Sequence, residues 1–177
     1  MLTGDILRLS AERHPKRIAL IAGKTKITYK SLYTSANQFA NTLLNFSIGK
    51  GVCWAIMSRN RPEYVIAHFG SAQTGAIMVN LQPSYTSDDL VNILNLASVR
   101  LIVVEEPFQE NIAKIISLIP KLEHVIVIGS PQRDSWFSFN RVIRTQPEKA
   151  PILDLSENDD FAMTFTGGTT GIPKGTL

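Results

Sequence analysis

Four short apolar runs, Val52–Met57, Ala76–Asn80, Arg100–Val104 and His124–Ile128, recur along the middle of the chain with amphipathic helical patterns between them. Runs this short, rich in Val, Ile, Leu and Met, fit strands buried on both faces. Strands that alternate with helices predict βα units, hence an α/β fold with a largely parallel sheet flanked by helices. With 177 residues, 44% of them hydrophobic, the chain is long enough to bury one sizeable core.

The flanking segments follow the same local rules. Leu2, Ile6, Leu7 and Leu9 share a helical stripe that must end before Pro15. Ile18–Ala22 and Lys26–Tyr29 flank Gly23-Lys24-Thr25 and predict a hairpin. Thr28 is placed to cap a helix through about Asn45, with Leu32, Ala36, Phe39, Ala40 and Leu43 on one face. Asn60 is expected to cap a helix with Pro62 in its first turn, running to about Thr74 and stopped by Gly75. Ser87-Asp88-Asp89 opens another helix to about Ala97, and a further one is expected over 108–119. The stretch 129–156, with Pro131, Pro147 and Pro151, predicts an irregular crossing with room for one helical turn, and 160–164 a final strand.

That strand feeds the most specific motif in the chain. Phe165-Thr166-Gly167-Gly168-Thr169-Thr170-Gly171-Ile172-Pro173-Lys174-Gly175 concentrates glycines, hydroxyls and one lysine. Glycines let backbone N–H groups turn toward an anion without Cβ clashes, and hydroxyls and an ammonium add donors and charge. The spacing is not that of a P-loop, since Lys174 precedes Gly175 and no Ser or Thr follows the lysine directly. It is not a dinucleotide-binding G-x-G-x-x-G either.

Residue by residue, Phe165–Gly175 resembles the phosphate-binding loop of the adenylate-forming (AMP-forming) ligases: acyl-CoA synthetases, peptide-synthetase adenylation domains and luciferases. That loop reads aromatic-Thr-[Ser/Gly]-Gly-Thr-Thr-Gly-x-Pro-Lys-Gly. The likeness extends to Ile27-Thr28-Tyr29-Lys30-Ser31-Leu32, with Ser31 where the family usually has a glutamate. It continues through Gly51–Met57 with Asn60–Tyr64, and through Ala72–Ala76 with Val79–Pro83, where Gln82 takes the usual asparagine slot. Gly167 in the second loop position leans toward fatty acyl-CoA synthetases. The resemblance implies that 1–177 is the incomplete N-terminal subdomain of an AMP-dependent synthetase/ligase. Its expected parts are 1–50 (helices and hairpin), 51–128 (βα repeats), 129–160 (crossing) and 161–177 (strand plus phosphate loop).

What the resemblance implies chemically is attack of a carboxylate on the α-phosphate of ATP with Mg²⁺ present, loss of pyrophosphate, and capture of the acyl-adenylate by a thiol, commonly coenzyme A. Thr166, Gly167, Gly168, Thr169, Thr170 and Gly171 would contact phosphate, Thr166 or Thr170 would lie near Mg²⁺, and Lys174 would be a mobile cation. The acid is expected to be fatty, and no catalytic residue is assigned within these residues.

The rest of the composition narrows the classes. A net charge of +3 with scattered Lys and Arg gives little support for nucleic-acid binding. One cysteine, Cys53, excludes an internal disulfide by count and reads as a buried small hydrophobe in a reducing compartment. No apolar run reaches the roughly 18 residues of a membrane span, and no signal peptide is visible. The cytoplasm is the default location, with peripheral membrane contact if the substrate is a lipid. His14, His68 and His124 read as structural, Asp88-Asp89 as dipole partners of a helix N-terminus, and Trp54 and Trp136 as packing residues. Glu105-Glu106 at a strand end is a carboxylate pair without visible support.

Two other readings compete: a non-catalytic α/β module acting by interaction, and a stand-alone nucleotide binder. An uncovered sheet face would favour self-association. Because the family's adenine-, metal- and acyl-binding motifs would lie past residue 177, these residues alone are expected to show no acid-dependent ATP–pyrophosphate exchange. Exchange above background with a fatty or aromatic acid would overturn that expectation.

Overall fold

A computed structural model describes residues 2–166 and 174–176. The chain opens with α1 (Thr3–Arg13), the hairpin β1 (Ile18–Ala22) and β2 (Thr25–Thr28), and α2 (Tyr29–Asn45). It then alternates through β3 (Cys53–Met57), α3 (Pro62–Ser71), β4 (Ile77–Leu81), α4 (Ser87–Leu96), β5 (Leu101–Glu105), α5 (Gln109–Ile115) and β6 (His124–Ile128). β7 (Phe137–Ser138), α6 (Phe139–Arg144), β8 (Ala162–Thr166) and β9 (Lys174–Thr176) follow.

β3 to β9 form one sheet in the order β7-β6-β5-β3-β4-β8-β9, apart from the two-stranded β1–β2 hairpin. Every pairing in the large sheet is parallel except β8 with β9. The expected α/β architecture is therefore present, with an antiparallel strand at one edge that the sequence reading did not anticipate.

The strand alternation sorts side chains into two cores. On one face Trp54, Ile56, Met78, Leu101, Val103, Ile126 and Ile128 meet α2, α3 and α6. On the other, Ala55, Met57, Val79, Leu81, Ile102, Val104, Val125 and Val127 meet α4 and α5. Thr28 caps α2 as expected, its side chain accepting from the Ser31 N–H at 3.2 Å. Thr86 caps α4, and Asp89 closes the capping box by accepting from the Thr86 N–H at 3.0 Å.

Several boundaries differ from the sequence reading. Arg61, not Asn60, is the residue before α3, in extended backbone at φ −133°, ψ 158°. The ring of Pro62 excludes helical backbone in the residue before it, which moves the boundary onto Arg61. The same helix stops at Ser71: the Thr74 hydroxyl donates to the Ser71 carbonyl at 2.9 Å, a local bond that replaces the next helical turn. The helix expected over 108–119 is α5, seven residues between two 3₁₀ turns. The final strand runs Ala162–Thr166, two residues later than expected. Cys53 is half-buried, not buried, because it opens β3 at the sheet margin.

The stretch 129–156 contains more structure than proline content suggested, namely the edge strand β7 and the six-residue α6, whose Phe139 stacks on Phe39 at 5.4 Å. Beyond α6 the backbone is irregular but its carbonyls are satisfied by α2. Asn37 Nδ2 donates to the Glu148 carbonyl at 2.8 Å, and Asn41 Nδ2 donates to those of Pro147 and Lys149 at 2.9 Å.

α2 and α3 approach closely at Gly70, where a Cβ would lie 2.7 Å from the Ala36 carbonyl oxygen and 2.9 Å from the Phe39 ring. Alanine would gain up to about 1 kcal/mol of helix propensity, yet the overlap is with backbone and a buried ring, which cannot yield cheaply. Gly70→Ala is expected to lower stability by about 1–3 kcal/mol, read as a reduced urea midpoint with an unchanged m-value.

Candidate functional site

Open parallel sheets place ligands beyond the carboxyl ends of their strands. Here that edge is built by Met57 to Arg59 after β3, Asn80 to Gln82 at β4, Glu105 at β5 and Thr166 at β8. The β4–β8 register runs Met78↔Ala162 and Val79↔Met163, so Thr166 stands one residue past the level of Leu81, the last residue of β4. β9 returns antiparallel with Thr166↔Lys174, Phe165↔Gly175 and Thr164↔Thr176 in register. The chain therefore leaves the edge at Thr166 and comes back directly opposite, at Lys174. Gly167, Gly168, Thr169, Thr170 and Gly171 lie outside the described residues. Of the expected phosphate contacts, the backbones of Thr166 and Lys174 are the two that the structure locates.

The β4–α4 loop braces this point. The Tyr64 hydroxyl donates to Asn80 Oδ1 at 2.6 Å, and the Tyr85 hydroxyl donates to the Phe165 carbonyl at 3.3 Å. Sequence reading passed over both tyrosines. Asn80 lies within the Val79–Pro83 likeness, but nothing in the local pattern says which atoms the tyrosine hydroxyls reach.

Glu105 is buried at the end of β5 and holds the β3 end in place. Its carboxylate accepts from the Arg59 N–H at 2.9 Å and pairs with the Arg61 guanidinium at 3.3 Å. Arg61 is shared with Glu63, whose carboxylate is the larger cause of its raised pKa. Glu106 turns away and accepts from the Ser130 N–H at 3.0 Å. The two glutamates are thus separate backbone anchors, not a carboxylate pair. Among the described residues no group of three or more His, Cys, Asp or Glu could hold a metal ion.

The histidines are structural. His14 ends α1, and His124 packs on Phe46 with ring centroids 4.5 Å apart. His68 lies edge-on to Phe69 and Phe161 at 5.4 and 4.9 Å. Trp54 is fully buried and its indole N–H donates to Ser71 Oγ at 2.7 Å, while Trp136 packs under the Arg133 guanidinium. Burial pushes the Cys53 thiol above its ordinary value, with the Asp160 charge adding to the shift, so Cys53 is a poor nucleophile.

A parallel sheet covered on both faces, with β8 and β9 opposed at its carboxyl edge, defines a protein of the α/β class. The family model for AMP-binding enzymes matches residues 7–177, and the chain belongs to that family. A medium/long-chain-fatty-acid–CoA/3-oxocholest-4-en-26-oate–CoA ligase of Mycolicibacterium smegmatis is 29% identical over 177 residues, covering 98% of this chain and 32% of that protein. 4-Coumarate–CoA ligase 3 of Arabidopsis thaliana is 29% identical over 163 residues, covering 89% of this chain and 28% of that one. The crystal structure of the anthranilate CoA ligase AuaEII with anthranoyl-AMP superposes with a TM-score of 0.95 at 28% identity, covering 99% of this chain and 34% of that one. The chain thus spans about a third of the length of the curated relatives it matches. No helix among the described residues is long and apolar enough to cross a membrane.

Burial holds the His68 imidazole below its ordinary value near 6.5. The folded state then binds fewer protons than the unfolded one, so this contribution to stability is complete above about pH 6.5 and is lost as pH falls below it. Unfolding free energy measured at pH 7 and pH 5 is expected to fall less in His68→Leu than in the parent chain. An equal fall would remove the attribution to His68.

Proposed function

We propose that this chain supplies the phosphate-binding loop of an ATP-dependent, AMP-forming acid–CoA ligase, with a fatty acid favoured as substrate. The observation that carries the reading is the placement of Thr166 and Lys174 as opposed ends of one excursion at the carboxyl edge of the sheet. In this reading Thr166 and Thr170 hydroxyls and the amides of Gly167, Gly168, Thr169 and Gly171 bind the β- and γ-phosphates. Lys174 follows the charge as pyrophosphate departs. The protein's part in such a transfer is positioning and charge stabilisation, with little covalent chemistry of its own.

Mg²⁺ suits this donor set. It prefers hard oxygen ligands and keeps several waters and substrate phosphates in its shell, and the threonine hydroxyls are of that kind, while the described residues offer no carboxylate cage. Thr166 and Thr170 would hold it, and when bound it would neutralise charge on the phosphate oxygens. The fatty-acid preference rests on Gly167 and on the named activity of the mycobacterial relatives. Coenzyme A as acceptor rests on the relatives as well, since the ligases of Mycolicibacterium and Arabidopsis both carry it in their names.

Titration of magnesium pyrophosphate, which carries the groups this loop would hold, into the isotope-labelled chain is expected to move the amide resonances of 166–174 and leave those of α1 and the β1–β2 hairpin in place. Lys174→Ala is expected to weaken that binding about 10- to 100-fold, the range of a hydrogen bond to a charged group. Shifts centred on another part of the chain, or equal affinity in the variant, would overturn the assignment.

A further inference from the structure

Tyr85 stands where the sheet stops supporting the strand that carries Thr166. The β4–β8 register ends at Val79↔Met163, yet β8 continues to Thr166. Over those last three residues β9, itself only three residues long, is the paired neighbour. On the β4 side the Phe165 carbonyl is met by a side chain, the Tyr85 hydroxyl at 3.3 Å.

Tyr85 is well built to serve as a post. Its N–H donates to the Gln82 carbonyl at 3.0 Å, closing the turn after β4. The next residue, Thr86, is the cap of α4, locked by reciprocal bonds with Asp89. The backbone is thereby pinned on both sides of Tyr85. Its ring packs on the same core that buries Phe165. Burial, with the Asp89 charge adding to it, raises the Tyr85 pKa, so the hydroxyl stays protonated and remains a donor.

We infer that Tyr85 is a positioning residue: by donating to the Phe165 carbonyl it takes over from the β4 ladder and fixes where Thr166, the first residue of the phosphate loop, leaves the sheet. The inference rests on the reading of 166–174 as that loop, and it adds a link the reading does not contain. The loop's starting point is set from the β4–α4 turn.

Tyr85→Phe keeps the ring and its packing and deletes the donor alone. Amide exchange of Thr164–Thr166 and Lys174–Thr176 is expected to quicken about 2- to 10-fold, the factor one hydrogen bond is worth. The Met78 N–H, which donates to the Phe161 carbonyl at 2.9 Å on the supported part of the strand, reports the rest of the sheet and is expected to hold its rate. Affinity for magnesium pyrophosphate is expected to fall by a similar factor. Unchanged exchange at the β8–β9 tip, or an equal acceleration at Met78, overturns the inference. If magnesium pyrophosphate fails to move 166–174 in the parent chain, the phosphate-loop reading fails, and the exchange pattern still decides whether Tyr85 holds the tip.

Discussion

Burial of a parallel sheet on both faces is the constraint from which the rest of this structure follows. β3 lies between β4 and β5, and its side chains alternate between two cores: Trp54 and Ile56 toward α2 and α3, Ala55 and Met57 toward α4 and α5. A strand with no wet face has no tolerance for polar residues in its middle, so polar groups collect at its ends. At the carboxyl edge those ends are Asn80, Glu105 and the strand that delivers Thr166. Polar side chains at that edge stay clear of the two apolar faces of the sheet.

Two of the polar side chains that enter the interior are joined in a short relay. The Trp54 indole N–H donates to Ser71 Oγ, and the Ser71 hydroxyl donates in turn to the Ala76 carbonyl. This ties the centre of β3 to the end of α3 and the start of β4. At the other end of β3, Glu105 does the same for the backbone of Arg59. A buried carboxylate is stable only when donors surround it, and Ser58, Arg59 and Arg61 all converge on this one. The β3–α3 connection is therefore held as firmly as the strand that precedes it.

The repeating core was legible because periodicity is a local signal. Ile-Val-Leu runs at β3 to β6, the Thr28 cap and the helix start at Ser87 follow rules that act over a few residues, and all of them lie where such rules place them. The loop motif was legible as chemistry, and the strand before it as a strand. What escaped the reading is non-local. β7 hides in a proline-rich stretch because two residues carry no pattern of their own and form a strand only against β6. β9 is three residues long, too short for a pattern, and is a strand only because β8 faces it. Tyr85 meets a carbonyl 80 positions away, and Glu105 an amide 46 positions away. No spacing rule reaches that far.

The amide contacts of Asn37 and Asn41 with 147–149 bear on how this fold is assembled. They close loops of 106 to 111 residues, for which closure entropy alone is on the order of 4 kcal/mol. The crossing they hold is the path that carries the chain from β7 at one edge to β8 near the other. β8 pairs with β4 in the register Met78↔Ala162, which makes it the most non-local member of the sheet. Contacts of this kind slow folding. β8, which places Phe165 in the core, therefore depends on contacts made across much of the chain.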